Sequence, residues 1–281
     1  MKNKGIIPIN KPQGWTSFDV VNKLKHRLKP FKVGHLGTLD PMATGVLLVT
    51  VGKATRLFDI MQEKTKTYIA MFEFGYSTDT LDATGKIIET CSKIPTKEEI
   101  VKILPNFIGK ISQVPPKYSA KSINGKRAYD LARTNVEFEL KPKLVKINNI
   151  DLLSYRDNVL TLKIECGSGT YIRSIGRDIA YNLDTLATMT TLERTRIDKF
   201  DLNNCYDIND LDCIDDKIIP IKEILSLPKL NLDNITLQKI LNGQKVIIEQ
   251  SDGTYVVEDE FDVLALVQIK ENIAKMSLFL T

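Results

Sequence analysis

Two short glycine-rich stretches hold most of the side chains able to do chemistry. The first is Gly34-His35-Leu36-Gly37-Thr38-Leu39-Asp40-Pro41-Met42-Ala43-Thr44-Gly45, which packs one acid and one of only two histidines among three glycines. Glycine permits sharp turns and close backbone approach, while Pro41 fixes its own φ and steers Asp40 away from helix. A shaped loop is expected, holding Asp40 at the mouth of a strand. A carboxylate there could be a base, a nucleophile or a metal ligand, and Asp-Pro also opens ordinary turns. The second stretch is Gly167-Ser168-Gly169-Thr170-Tyr171-Ile172-Arg173. A glycine-rich turn before a helix could hold phosphate, although the P-loop and dinucleotide patterns are missing, and a lone arginine there reads equally as a surface ion pair. Tyr68 stands at the start of a predicted strand, where a β-favouring aromatic is ordinary.

The elements that must position these groups follow from periodicity. Val46–Val51 is a continuous apolar, β-branched run closed by Gly52, as in a buried strand. The first glycine-rich stretch is expected to be a loop that feeds it. Residues 5–10 predict a first strand. Lys11-Pro12-Gln13-Gly14 then turns into a helix capped by Thr16 or Ser17, with Phe18, Val21, Leu24 and Leu28 inward and Pro30 as its stop. His26 falls on the polar side of that helix. Residues 52–61 predict a short helical stretch. Lys66–Phe74 is apolar on both faces and therefore central in a sheet. Residues 75–85 form a polar loop whose two acids lack the EF-hand pattern, which removes a calcium reading. Lys86–Thr90 is a strand, and Thr96-Lys97-Glu98-Glu99 is a capping box for a helix burying Ile100, Val101 and Leu104. Leu144–Leu153 and Val159–Cys166 are strands around a turn at 156–158. A helix with Ile175, Ile179 and Leu183 on one face follows Arg173. Residues 201–224 read as an acidic connector. From about Leu225 three short strand-like runs (245–249, 255–257, 263–269) and the Asn242-Gly243 turn predict a small β-rich domain.

Charge is unevenly spread. Residues 1–60 carry +7, residues 61–200 carry +5 and residues 201–281 carry −8. A basic body with an acidic tail fits a polyanionic partner, or Lys-rich faces that serve solubility. Residues 116–146 hold eight Lys/Arg against three Asp/Glu, with Tyr118 and Tyr129 interleaved, a composition suited to phosphate contact and base stacking. Hydrophobic residues make up 43% and charged residues 26%, ordinary for a globular chain, and no apolar run reaches the length of a membrane span. Met1–Gly5 leads into a strand-like segment and not into a signal peptide. Cys91, Cys166, Cys205 and Cys213 are scattered, without CxxC, so neither zinc nor a disulfide framework is expected, and a reducing cytoplasm fits.

The pattern Gly34-His35-x-Gly37-Thr38-Leu39-Asp40-Pro41-x-Ala43-Thr44-Gly45 resembles the signature of TruB-type tRNA pseudouridine synthases, which isomerise uridine 55 in the T loop of tRNA. Five further stretches resemble the same family: Lys11-Pro12-x-Gly14-x-Thr16-Ser17, the Lys66-x-Tyr68 element, the Thr78-Asp79-Thr80-x-Asp82-x-x-Gly85 loop, for which the resemblance implies a structural or RNA-contacting job, Gly169-Thr170-Tyr171-Ile172-Arg173, and the closing motif from Leu192 to Phe200. The resemblance covers roughly residues 5–200. It implies that Asp40 is the catalytic aspartate, that Arg173 pairs with it, and that Tyr68 stacks on the target base and assists proton transfer. It also implies that His35 holds flipped-out nucleotides, that Tyr171 and Leu192 shape the pocket, and that Lys11 belongs to the substrate-binding set. Glu193 and Asp198 depart from the family pattern, where arginine and glycine are usual. Asp tolerates left-handed φ, so the turn at 198 can survive.

The fold so implied is α+β: a mixed, largely antiparallel sheet with flanking helices, the pseudouridine synthase fold, in residues 1–224. A thumb-like, mobile insertion at about 116–146 would clasp the T arm, and residues 225–281 would form a small PUA-like domain. Neither cofactor nor metal is expected. The partner is tRNA through its T arm, bound by a cytoplasmic monomer without guide RNA or membrane. Two other classes compete. A non-catalytic RNA-binding protein on this fold sits poorly with intact Asp40, Tyr68 and Arg173. A carboxylate-dependent hydrolase would need a second catalytic acid, for which no motif-level candidate stands out. The guide-dependent archaeal and eukaryotic relatives are a narrower alternative that the compact length and acidic C-terminal part disfavour.

Overall fold

The computed structural model describes residues 4–119, 121–123, 125–134 and 138–280. Of the insertion expected at 116–146, residues 120, 124 and 135–137 lie outside the described residues, as do Met1–Asn3. In chain order the elements begin β1 (Gly5–Lys11), α1 (Ser17–Arg27), β2 (Val33–Leu36), β3 (Thr44–Val51), α2 (Phe58–Gln62), β4 (Lys66–Phe74), β5 (Tyr76–Thr78), β6 (Ile87–Thr90), α3 (Lys97–Ile103) and β7 (Gly109–Gln113). They continue with β8 (Ser122–Ile123), β9 (Lys126–Arg127), α4 (Ala128–Arg133), β10 (Lys143–Arg156), β11 (Val159–Cys166), α5 (Ile172–Asn182) and β12 (Ala187–Ile197). The remainder holds β13 (Phe200–Asp201), β14 (Tyr206–Asp207), α6 (Ile221–Ile224), α7 (Asn234–Leu241), β15 (Val246–Ile247), β16 (Gly253–Glu258), β17 (Val263–Lys270) and β18 (Ile273–Phe279).

Ten strands form one sheet in the order β14-β1-β3-β12-β4-β11-β10-β7, with β2 on β3 and β13 on β12. Only β1–β14 and β3–β12 are parallel; the rest of the ladder is antiparallel. The architecture is the expected α+β fold. Strand β3 is apolar from Val46 to Val49 and buried from Gly45 to Val51 because both its faces are covered. Leu47, Val49 and Val51 pack with Val20, Val21 and Leu24 of α1. Val46 and Leu48 share a second core with Val256, Val263, Leu266 and Leu280 of the C-terminal part. On the other half of the sheet, α5 lays Ile172, Ile175 and Ile179 on Phe72, Leu162 and Ile164. Gly176 is the contact point, since a Cβ there would fall 2.2 Å from the Phe72 ring.

Several local readings change. Gly34–Leu36 is strand β2, paired with β3 from Val33↔Val51 to Leu36↔Leu48, so only the later part of the glycine-rich stretch is loop. The helix-breaking composition is overridden by pairing with a well-buried strand. Phe18 is exposed on the first turn of α1, because Ser17 and Val20 take the inward positions. Val101 is exposed on α3, where a seven-residue helix has room for only a narrow inward stripe. The connector 201–224 is partly sheet: Tyr206 and Asp207 lie parallel to β1. Helix α7, capped by Asp233, and strand β18 are additions to the small sheet β15-β18-β17-β16. The Thr96 capping box forms as read, Thr16 and not Ser17 caps α1 and adds a capping box with Asp19, and Asp198 sits at φ 52°.

The two halves of the large sheet meet where Thr44 and Gly45 pair with Glu193 and Arg194. Gly45 has φ 106°, and a Cβ there would lie 2.3 Å from the Arg194 carbonyl oxygen. Gly45→Ala therefore forces the halves apart. The expected result is a loss of more than about 2 kcal/mol in denaturant unfolding; a variant as stable as the parent would show the seam to be yielding.

Candidate active site

A cavity of about 740 Å³ opens where the 37–42 loop faces the start of α5. That size suits a small ligand or a single nucleotide. Its floor is the sheet, through Lys66 and Tyr68 of β4 and Leu192 and Arg194 of β12, and its far walls come from Thr80–Thr84, Tyr118–Ser119 and Gly167–Arg173.

The loop is fastened along its length. The Leu39 N–H donates to the buried Ser17 hydroxyl at 2.9 Å, and Ala43 N–H donates back to the Asp40 carbonyl at 3.0 Å. The Pro41 carbonyl accepts from Gly14 N–H at 2.8 Å and from the Lys11 ammonium at 3.3 Å. At its entry the Gly37 carbonyl accepts from Arg194 Nη2 at 3.1 Å, and just past its exit Val46 accepts from Arg194 Nε at 2.8 Å. One buried side chain on β12 thus ties both feet of the loop.

Asp40 and Arg173, 133 positions apart in the chain, meet in this cavity. Arg173 Nε lies 3.0 Å from Asp40 Oδ2, and Nη2 donates to Oδ1 at 3.2 Å, the forked arrangement that suits a guanidinium and a carboxylate. The same guanidinium is held from behind. Nη1 lies 3.3 Å from Asp82 Oδ2 and donates to the Thr80 carbonyl at 2.9 Å, while Nη2 also donates to the Tyr118 carbonyl at 3.1 Å. Asp82 is in turn fixed by Thr80 and Thr84, whose hydroxyls donate to its Oδ1 at 2.8 and 2.5 Å. Arg173 and Asp82 are buried, whereas a third of the Asp40 side chain remains open to the cavity. Asp40 is the acid presented to a ligand; Asp82 is not.

Burial pushes the Asp40 carboxyl above its usual range, Arg173 pulls it down, and the nearby Asp82 charge adds to the rise. Tyr68 is buried, which raises its phenol, while a hydrogen bond and the charge of Arg194 oppose the rise. Tyr68 is therefore a neutral hydroxyl. Burial lowers the Lys66 ammonium to about 8, with Arg194 adding to the drop, and burial lowers the Lys11 ammonium to about 8 as well.

The cavity gathers Asp40, Tyr68, Tyr171, Arg173 and Leu192 from the residues singled out in the sequence. It does not include Lys11 or His35. Lys11 is fully buried, its ammonium surrounded by the carbonyls of Pro12, Trp15 and Pro41, because an isolated buried charge needs such acceptors. It lies beneath the loop instead of facing a ligand. His35 stands half-buried on β2, and its Nδ1 is buried with no partner among the described residues.

Three functional positions were missed. Asp82 was read as part of a polar loop, although three threonines at 78, 80 and 84 around it signal a carboxylate to be satisfied. Arg194 alternates with Leu192 along β12 and so faces the same way. Gln113 precedes the double proline. Its side-chain oxygen accepts from Tyr171 N–H at 2.8 Å and its amide donates to the Tyr171 carbonyl at 3.1 Å, which sets the first turn of α5 and hence Arg173. Asp82 is a second acid beside the cavity, but Arg173 and two threonines occupy its oxygens, so it is not presented to a ligand as the second carboxylate of a hydrolase would be.

Residues 25–172 match the model of the TruB family pseudouridylate synthase (N terminal domain). The chain is 38% identical over 275 residues to tRNA pseudouridine synthase B of Mycoplasma mobile, covering 97% of this chain and 93% of that one. It is 41% identical to the protein of that name from Fusobacterium nucleatum, covering 96% of each, and 40% identical to that from Clostridium kluyveri, covering 95% and 92%. In structure it resembles the solved Cbf5-Nop10-Gar1 complex, with a TM-score of 0.72 at 23% identity over 99% of this chain and 84% of that one. An archaeal box H/ACA Nop10-Cbf5 structure gives 0.73 at 21% identity, covering 99% and 86%. The last two likenesses establish the fold.

The Gln113 clamp generates a prediction about the framework. Gln113→Ala leaves the part-buried Tyr171 N–H unpaired, and should lower stability by about 1–3 kcal/mol in denaturant melts. A loss below about 0.5 kcal/mol would show that the helix start is held by other contacts.

Proposed function

The chain belongs to the TruB family of pseudouridylate synthases, a class of isomerases, and from that premise we propose that it converts uridine 55 in the T loop of tRNA to pseudouridine. The observation that carries the residue assignment is the forked pair of Asp40 and Arg173 at the edge of a cavity that accommodates one nucleotide.

The reaction breaks the N1–C1′ bond, turns the base and joins C5 to C1′, without redox change or an added group. A base inside a folded T arm must leave its stack to react, at a cost of a few kcal/mol. Tyr68, Tyr171 and Leu192 line the space that receives it. Positive charge builds at C1′ as the bond breaks, and the ionised Asp40 carboxylate is the group that answers it. Arg173 keeps that carboxylate ionised against its own burial and aims it. Tyr68, as a neutral phenol beneath the base, offers a hydroxyl for proton transfer. Ser119 has a buried hydroxyl with no partner among the described residues and lines the same cavity, so it is available to a ligand.

The remaining assignments belong to this proposal. Residues 1–224 form the catalytic part, with the 116–146 insertion grasping the T arm and His35 meeting flipped nucleotides beside the loop. Residues 225–281 are the appended PUA-like part. The enzyme works on tRNA as a monomer in the cytoplasm, without guide RNA. No helix among the described residues is long and apolar enough to cross a membrane.

The test is release of tritium from C5-labelled uridine in a tRNA transcript, with the product mapped to its position. Wild-type protein should release label and place pseudouridine at position 55 alone; label released elsewhere, or none, would refute the assignment. Asp40→Asn should lower the rate by about 10³-fold or more with RNA affinity retained. Arg173→Lys replaces a fork by a point charge and should be almost as damaging; near-normal turnover in either variant would remove that residue from the mechanism. The pH profile should show an acid limb set by Asp40. Asp40 acts ionised and its carboxyl is raised, so activity is lost on acidification above the ordinary aspartate range. Asp82→Asn removes a like charge, so it should move that acid limb to lower pH; an unmoved or raised limb would contradict the coupling.

A further inference from the structure

The Ser119 hydroxyl lines the cavity and bonds to nothing among the described residues. The residue is 5% exposed, so bulk solvent scarcely reaches it. A buried hydroxyl without a partner costs free energy, and most buried polar groups in folded proteins are paired. The backbone around it is held. Ser119 N–H donates to the Lys117 carbonyl at 3.1 Å, and its own carbonyl accepts from Tyr129 N–H at 3.1 Å. These bonds keep the side chain in the cavity wall without using its oxygen. The preceding carbonyl, that of Tyr118, accepts from Arg173 Nη2 at 3.1 Å, and the same nitrogen donates to Asp40 Oδ1 at 3.2 Å. Ser119 therefore stands one residue from the guanidinium that aims Asp40. An unanswered hydroxyl in that place points to a partner that arrives with the substrate.

The direction of the nucleotide decides which atom that partner is. On the proposed reaction the base lies over Tyr68 on the sheet floor, and Asp40 faces C1′. The wall that carries Arg173, Tyr118 and Ser119 is then the wall beside the sugar. C1′ is bonded to C2′, which bears the hydroxyl that tells RNA from DNA. A phosphate is bulky and strongly hydrated, and it stays nearer the mouth than so buried a side chain. The ring oxygen O4′ can only accept. A serine hydroxyl has one donor and two acceptor positions, and a 2′-hydroxyl can answer it in either sense. We infer that the Ser119 hydroxyl hydrogen-bonds the 2′-hydroxyl of the target nucleotide, which holds C1′ against Asp40 and favours ribose over deoxyribose. The contact closes a ring that runs from the sugar to Ser119, from Tyr118 to Arg173, and from Arg173 through Asp40 back to C1′. A site built to bond a substrate hydroxyl rejects the analogue that lacks it, because the protein group is left unpaired again.

This inference rests on the proposed isomerisation, and its test separates the two. The full-length protein is given two C5-tritiated T-arm RNAs, one with uridine at the target position and one with 2′-deoxyuridine at that position alone. In single-turnover reactions at subsaturating enzyme, Ser119→Ala should slow the ribose substrate about tenfold. On the deoxyribose substrate the variant and the parent should agree within about twofold. Both proteins meet the same RNA in each comparison, so any effect of the 2′-hydroxyl on the chemistry itself cancels. An equal loss on both RNAs assigns Ser119 to the base edge, a phosphate or the fold and overturns the inference; no loss on either overturns it too. Denaturant unfolding is the second readout. A hydroxyl with no protein partner can be cut away without the loss that follows when a bonded one is removed. Ser119→Ala should therefore unfold at the parent's denaturant concentration or higher. A less stable variant, or one that does not fold, shows that the hydroxyl already serves the protein, and the inference falls. The third arm needs no turnover. In the Asp40→Asn background, equilibrium binding should favour the ribose RNA over the deoxyribose RNA by about tenfold, and adding Ser119→Ala should abolish that preference; a preference that survives overturns the inference. Wild-type protein that makes no pseudouridine sinks the proposed function, and the binding arm still decides whether Ser119 meets a 2′-hydroxyl.

Discussion

A single guanidinium, that of Arg173, joins four distant parts of the chain. It takes Asp40 from the glycine-rich loop, Asp82 and the Thr80 carbonyl from the loop after β5, the Tyr118 carbonyl from the basic arm, and its own place from the first turn of α5. An arginine presents five donors in a fixed plane, so these partners must agree in direction as well as distance. Such a buried charge group is poor evidence for net stability, because desolvation offsets much of the attraction; removing one partner, however, strands the other and costs about 3–5 kcal/mol. The arrangement is best understood as a device for orientation. It leaves one carboxylate, Asp40, facing open space while its companion is locked behind.

The sheet makes that convergence possible. Strands β4 and β12 lie side by side in the middle of the ladder, and the loop that carries Asp40 leads into β3 on the far side of β12. The short parallel seam at Gly45 and Arg194 decides where the loop ends relative to Tyr68, which pairs across the ladder with Arg194. Arg194 then reaches back to the Gly37 and Val46 carbonyls, so one side chain sets the loop's two feet and the electrostatics of the floor. The small C-terminal sheet supports the other face. Lys4 donates to the Val263 and Leu280 carbonyls at 2.8 and 3.0 Å, and a common apolar core runs between the two sheets.

What could be read from the sequence divides along physical lines. Apolar runs of strand length, such as Val46–Val51 and Lys66–Phe74, announced buried strands because burial on two faces leaves little choice of residue. The cap of the first helix at Thr16 or Ser17 and the capping box at Thr96 were legible because their chemistry is local. Asp40, Tyr68 and Arg173 stood out through motif resemblance, and their meeting could not have been deduced from spacing. Gly34–Leu36 was misread as loop, since local composition says nothing of a partner strand. Asp82 and Arg194 stood in stretches that resemble the family, and Gln113 in a quoted segment, but their individual roles could not be read for the same reason. Their roles are set by residues 58 to 157 positions away, and their types are common in loops and strands alike. Lys11 shows the converse. It belongs to a recognisable pattern, yet its full burial and its three carbonyl partners place it beneath the loop, where its task is to hold Pro41.

The central claim is that Arg173 keeps Asp40 ionised while burial works against it. The most direct measurement is a carbon-13 NMR titration of the Asp40 side-chain carboxyl in the parent protein and in Arg173→Met. The account predicts a carboxyl that titrates above the ordinary aspartate range in the parent and higher still in the variant. A carboxyl that titrates at the same pH in both proteins would contradict it.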